Sequence, residues 1–400
     1  MRPAPAGDGL TSPVGDGGAL AGSRRPALRD ALGAVLFPFA LTRAALLAVA
    51  WFARQFAPSW TYADPVGATR GWQHVPELFL DVWGRYDTWW YLGLAADGYR
   101  TPADLGREQS NLAFFPLYPT LVRWLHDLLP AARQGYAARY AVAVALSNAC
   151  AVAAGWMVFQ AVRERWRDDG LARRTVLYLY LFPTGFFLSA VYSESLFLAC
   201  AAGAFLAAGR GRWVTAGLAA ALATLTRSTG ILIVPALALV AVGARRERPA
   251  GALALLLPVL ALLGHGAELA QLSGDRLALF HAQSAWGRAL TSPWETLARA
   301  HHAFMGPFEV LGVLLFLVLG LALLRQREHA YAAFTLLSLG PILLSGTLMS
   351  ATRFLAVVFT AFVPLARLGE REWVDRSIVV TFAFGQALLF AAWSRFYWVA

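Results

Sequence analysis

Asp87 is the residue whose surroundings most suggest chemistry. It stands in RYDTWWYLGLAADGY (residues 85–99), where a short amphipathic helix begins and Trp90, Tyr91 and Leu94 would face membrane or core. A carboxylate in that place has two uses. It can cap the free N–H groups of the helix, or it can face a cavity and accept a proton as a general base. Three arginines form a second constellation: Arg227 and Arg353 in short loops on one side of the chain, and Arg288 in AQSAWGR. The planar guanidinium fork suits phosphate oxygens, while snorkelling to an interface or plain surface exposure is the bland alternative. Gln283 and Trp286 are three apart and share a helical face. They could bond hydroxyls and stack on a sugar ring, or Trp286 could simply anchor an interface. Tyr192 and Glu194 flank Ser193 at a turn, where an acid is often only a cap.

Metal chemistry has no clear signature. His301 and His302 are neighbours, so on a helix they point about 100° apart, and no HExxH spacing occurs. No metal ligand is assigned and no cofactor is required, although Asp87 and a phosphate could recruit a divalent ion. Cys150 and Cys200 fall in different apolar runs and read as small packing residues.

These residues must be positioned by membrane helices. The chain has 400 residues, 58% hydrophobic and 14% charged. A soluble domain carries about 25% charged residues, so the composition points to a bilayer. Crossing one takes about 20 apolar residues. That length predicts spans near 31–54, 138–162, 173–190, 195–209, 213–227, 229–244, 250–271, 307–325, 330–348, 352–367 and 376–396, about eleven in all. The run 213–227 is short, so its outer end is expected to dip below the surface, which is tolerated where it lines a cavity.

The net charge of +10 comes from arginine alone. Clusters at Arg24–Arg25, 163–174, 210–212, 245–248, 325–327 and 367–376 occupy alternate loops, as the positive-inside rule requires when the N-terminus is cytoplasmic. The opposite short loops hold only Arg227 and Arg353. The charge therefore reports topology, and no motif accompanies it that would imply a nucleic acid. Residues 1–26, rich in Gly, Pro and Ala, read as a disordered cytoplasmic tail. Residues 27–400 read as one transmembrane domain, with 55–137 and 272–306 extracytoplasmic. The first of these is dense in aromatics, as expected of helices lying in the interface.

The core Tyr-Asp-x-x-Trp-Tyr-Leu around Asp87 is similar to the first-loop motif of PIG-V-like mannosyltransferases. NLAFFPLYP (111–119), LFPTGFFLSAVYSESLFL (181–198), LATLTRSTGILI (222–233), FHAQSAWGR (280–288) and the ending FYWVA (396–400) resemble the same family in the same order. Two departures stand out. Tyr86 replaces a frequent Trp and would keep an aromatic wall, and ATRF (351–354) retains only the arginine of a Pro-Arg-Tyr-like motif.

The resemblance implies an all-α, polytopic bundle of the GT-C class of glycosyltransferases. It implies a polyprenyl-phosphate sugar as donor, usually mannose, and an extracytoplasmic lipid or glycan acceptor at the cell membrane. Nucleotide sugars are not available outside the cytoplasm, so an outward-facing transferase needs a lipid-held donor, and no Gly-rich nucleotide cradle is seen. The expected reaction is an inverting displacement. Asp87 takes the acceptor's proton, Arg227, Arg353 and Arg288 steady the departing phosphate, and Tyr86, Trp90, Tyr192, Glu194, Gln283 and Trp286 bind sugar or acceptor. Two rivals remain open: a transporter or flippase of lipid-linked sugars, and a non-catalytic subunit of a glycosyltransferase complex.

Overall fold

The structure is a computed structural model, and it describes residues 28–56, 73–105, 107–243, 253–300, 303 and 305–399. From the N-terminal side, α1 (Leu28–Ala53) is followed by α2 (Leu78–Asp81), α3 (Thr88–Asp97) and α4 (Leu117–Asp127). The chain continues through α5 (Tyr136–Trp166), α6 (Asp169–Leu181), α7 (Glu194–Gly209), α8 (Trp213–Thr226), α9 (Ile233–Gly243) and α10 (Leu257–Ser273). Two short helices, α11 (Ala278–Ser284) and α12 (Pro293–Ala300), lead to α13 (Gly306–Arg325) and α14 (His329–Leu343). The last elements are α15 (Ala351–Leu355), α16 (Phe362–Leu368) and α17 (Glu372–Ser394). Among the described residues no strand forms beyond one bridge between Leu105 and Glu108.

Among the described residues, five helices are long and apolar enough to cross a membrane: Arg29–Ala53, Tyr136–Trp166, Leu253–Ser273, Gly306–Arg325 and Glu372–Ser394. The chain is a multi-pass membrane protein. Other expected spans fall on apolar helices of 10–17 residues, and three end early. The span expected over 173–190 stops at Leu181, because Pro183 disfavours helical backbone at Phe182, whose ψ is 139°. The chain then makes a turn at Gly185–Leu188 and stays buried to α7. The span expected over 352–367 is split between α15 and α16, and that over 330–348 ends as helix at Leu343. The first interruption brings Ser193 to the candidate site, and Arg353 and Phe354 reach it from the short α15. A bilayer tolerates such irregular backbone only where protein covers it.

The arginine-rich loops gather at one end. Arg163 pairs with Asp169 at 2.8 Å, Arg165 with Glu328 at 3.0 Å and Arg210 with Glu164 at 2.5 Å, linking the loops after α5, α7 and α13. The 73–133 segment caps the other end. Two apolar cores follow this division. One lies inside the bundle, with Ala151, Ala154, Ala201, Ala216 and Ala220 among its members. The other lies under the cap and includes Trp83, Tyr91, Tyr118, Phe187, Tyr192 and Trp393.

Candidate active site

The two readings of Asp87 separate at its carboxylate. Asp87 precedes the first residue of α3, yet its side chain makes no capping bond. Its Oδ2 instead accepts from Arg353 Nη1 at 3.0 Å, a buried pair between residues far apart in sequence. The backbone around it is held by side chains. The Asp87 N–H donates to Tyr192 Oη at 3.1 Å, and Tyr192 Oη donates to the Arg85 carbonyl at 3.1 Å. Arg85 is itself buried, paired with Asp81 at 3.0 Å and covered by the Phe396 ring. Asp81 Oδ1 accepts from the His74 N–H at 2.7 Å. A polar chain thus runs from His74 to Asp87 through segments with few ladder bonds of their own. Burial drives the Tyr192 hydroxyl well above the usual range, so it stays protonated and able to donate.

Glu194 opens α7 without capping it, and it is 1% exposed. Its Oε1 lies 2.5 Å from Arg227 Nη1 and 3.3 Å from Arg353 Nε, the second contact being poorly aligned for a hydrogen bond. Arg227 reaches it from extended backbone just after α8. There the chain doubles back so tightly at Gly230 that a Cβ would strike the backbone of Ala223 and Thr224. Arg288 comes from the opposite wall. Its Nη1 donates to Gln283 Oε1 at 2.9 Å, and Gln283 Nε2 donates to the Ala113 carbonyl at 3.0 Å. The three guanidiniums share one aromatic plate, since Arg227, Arg353 and Arg288 lie 4.6, 4.8 and 5.1 Å from the Phe354 centroid.

One cavity takes in Asp87, Tyr91, Arg227, Arg288, Arg353 and Phe354, with Gln283 and Trp286 on its wall. Three guanidiniums against the Asp87 and Glu194 carboxylates leave one positive charge. Arg288 feels the excess. Burial first, and then Arg353, push its pKa down to about 10. An anion seated among these cations would relieve that cost. Among the described residues the buried Trp286 indole N–H has no hydrogen-bond partner, so it is a donor left over for a ligand.

The remaining expected residues are distributed less evenly. Glu194 and Tyr192 lie just beneath the cavity and hold its walls. Trp90 packs behind the rim, 6.0 Å from Phe114 and 5.7 Å from Trp286 between ring centroids. Tyr86 is the clear departure from expectation. Its φ is 47°, which turns the ring away, and its Oη donates to the Phe396 carbonyl at 2.6 Å. It packs on Trp393 and Trp398, supporting Asp87 from behind instead of forming an acceptor wall. Tyr91, expected to face membrane or core, borders the cavity and meets Ser193 Oγ at 2.9 Å. Phe354, Phe115, Ser193 and Thr226 also line it and carried no signal beyond their neighbours in sequence. Arg43, inside α1, bonds Ser189 Oγ and the Gly185 carbonyl, remote from this cavity. Among the described residues no group of three or more His, Cys, Asp or Glu could hold a metal. His301 and His302 lie outside the described residues.

No curated protein matches the chain. Two solved structures of the Archaeoglobus fulgidus oligosaccharyltransferase resemble it in shape. The apo form has a TM-score of 0.48 at 14% identity, over 90% of this chain and 56% of that one. The form with an inhibitory peptide and a dolichol-phosphate has a TM-score of 0.44 at 13% identity, over 89% and 56%. The chain thus spans little more than half the length of those proteins. The sequence is the more telling comparison: residues 73–246 fit the model of the mannosyltransferase (PIG-V) family, and that stretch carries Asp87, Glu194 and Arg227.

Proposed function

We propose that the protein is a glycosyltransferase that moves mannose from a polyprenyl-phosphate donor to an extracytoplasmic lipid or glycan acceptor. The observation that carries this reading is the excess of one positive charge around a cavity that also contains Asp87. The donor is a phosphodiester. When the acceptor oxygen attacks the anomeric carbon, the bond from that carbon to the phosphate oxygen breaks and the phosphate leaves with the electron pair. Arg227 and Arg288 are the groups best placed to take the added negative charge. Arg353 has part of its fork committed to Asp87, so its role is to aim the carboxylate and add field. Asp87 accepts the acceptor's proton as the new bond forms. A single displacement of this kind inverts the anomeric centre.

The outward orientation rests on the arginine loops, which gather at the end opposite the cavity, together with the positive-inside rule. Membranes holding the full-length chain, supplied with labelled polyprenyl-phosphate mannose, provide the test. Transfer should occur with wild type and fall at least a hundredfold with Asp87→Asn at equal protein level. Normal turnover by that variant, or movement of the sugar lipid without any transfer, would overturn the proposal.

A further inference from the structure

A second cavity lies behind the Arg353 segment. Ala303, Met305, Gly306 and Met349 form much of its wall and Trp398 one side, while Glu309, Arg299, Thr347 and Ser350 supply its polar groups. Glu309 sits in the first turn of α13 and is 2% exposed. Its Oε2 accepts the Thr352 N–H at 2.6 Å; the Thr352 hydroxyl and the Ser350 N–H also lie near the carboxylate, but Oε1 makes no well-aligned hydrogen bond. Among the described residues no cation is paired with it.

A buried carboxylate oxygen without a donor is costly, so it marks a place where a ligand donor belongs. An aromatic ring beside a carboxylate oxygen, with the Thr347 and Ser350 hydroxyls and an Arg299 already paired with Glu295 around it, suits a sugar or polyol ring bearing hydroxyl groups. Two of the residues around the cavity also connect it to the candidate active site. Thr352, held by Glu309, immediately precedes Arg353, and Trp398 meets Tyr86 at 4.7 Å between centroids, next to Asp87.

We infer that this cavity is a binding site for the hydroxyl-bearing ring of the acceptor, with Glu309 Oε1 accepting a hydrogen bond from a ring hydroxyl and Trp398 packing on the ring. Calling that ring the acceptor rests on the function proposed above, but occupancy of the cavity can be read without any transfer.

The test places a thiol at the cavity by Met349→Cys, with Cys150→Ala and Cys200→Ala removing the native thiols, in the full chain reconstituted in lipid nanodiscs. Maleimide labelling is followed with methyl mannoside, dodecyl mannoside or inorganic phosphate present. Either mannoside should slow labelling at least fivefold, and inorganic phosphate should not. Equal protection by both mannosides assigns a soluble glycan end, and much stronger protection by the dodecyl form assigns a lipid headgroup. Glu309→Gln keeps an oxygen for the Thr352 N–H and places an amide donor where the free acceptor stood. It should raise the half-protecting concentration about tenfold. Trp398→Ala gives an independent loss, should the first variant fold poorly. No protection by either mannoside, equal protection by inorganic phosphate, or unchanged protection in both variants overturns the inference. If the transferase reading alone is wrong, protection persists while no Asp87-dependent transfer is found.

Discussion

The bundle core and the core under the cap solve different problems. In the bundle most backbone is helical and satisfies itself, so packing there asks chiefly for shape, with a few directional bonds such as that from the Tyr180 hydroxyl to the Ala151 carbonyl. Small side chains such as Ala154, Ala216 and Ala220 let the helices approach closely, and a Cβ on Gly155 would overlap the Tyr180 hydroxyl. Under the cap the backbone is irregular, and the aromatics there use their polar ends. Tyr140 donates to the carbonyls of Leu80 and Asp81, Trp393 Nε1 to that of Val82, and Tyr118 to that of Ala143. Buried aromatics with a polar handle hold position as well as volume. The contrast teaches that close packing suffices to build the membrane frame, whereas aiming one carboxylate takes directional bonds.

The sharpest way to break this comparison is Asp87→Asn. It should lower sugar transfer by about 10²–10⁴-fold at equal folded protein, on the order of 3–5 kcal/mol in barrier. It should also lower the melting temperature, because the buried Arg353 loses a counter-charge. Next is Glu194→Ala, which leaves the buried Arg353 and the partly buried Arg227 short of a counter-charge. It should cost about 3–5 kcal/mol of stability in denaturant unfolding. Glu328→Ala, which breaks a pair with the half-exposed Arg165 at the opposite end, should cost about 1 kcal/mol or less.

A pH series localises the effect further. Burial, and then Arg85, push His74 down to about 3, against about 6.5 in the unfolded chain. Between those values the unfolded state binds more protons, so His74 contributes fully above about pH 6.5 and its contribution falls as pH drops. From pH 7 to pH 5 the loss should be about 2 kcal/mol. Hydrogen exchange should show it first around His74 and α3, and His74→Asn should flatten the slope. The smallest effect is a matched pair. Tyr192→Phe and Tyr180→Phe each remove one buried hydroxyl bonded to backbone. Each should cost about 1 kcal/mol of stability, and only Tyr192→Phe should also slow transfer.

The membrane class was legible in composition, and the arginine loops marked which connections share an end, because both are sums over many residues. Helix ends were less legible: Pro183 stops α6 inside an apolar run that hydropathy alone reads as continuous. Around the cavity, Asp87 and Arg353 stand out as charges in apolar surroundings. Their ion pair closes over a separation of 266 residues, which no local pattern encodes. Tyr86 sits one residue from Asp87 yet faces away, since its positive φ is imposed by distant partners at Phe396 and Trp393. Glu309 lies in the first turn of α13, where an acid favours the helix N-terminus, and no local pattern marks the cavity beside it.

The Phe354 plate has one more consequence. The ring's weakly negative faces, together with the Asp87 and Glu194 carboxylates, leave part of the mutual repulsion of three guanidiniums uncompensated. That repulsion is already present before any ligand arrives, so an incoming anion relaxes the site and an uncharged hexose does not. Discrimination between a carrier-bound sugar and a free one can therefore be made on charge, ahead of any inspection of ring stereochemistry.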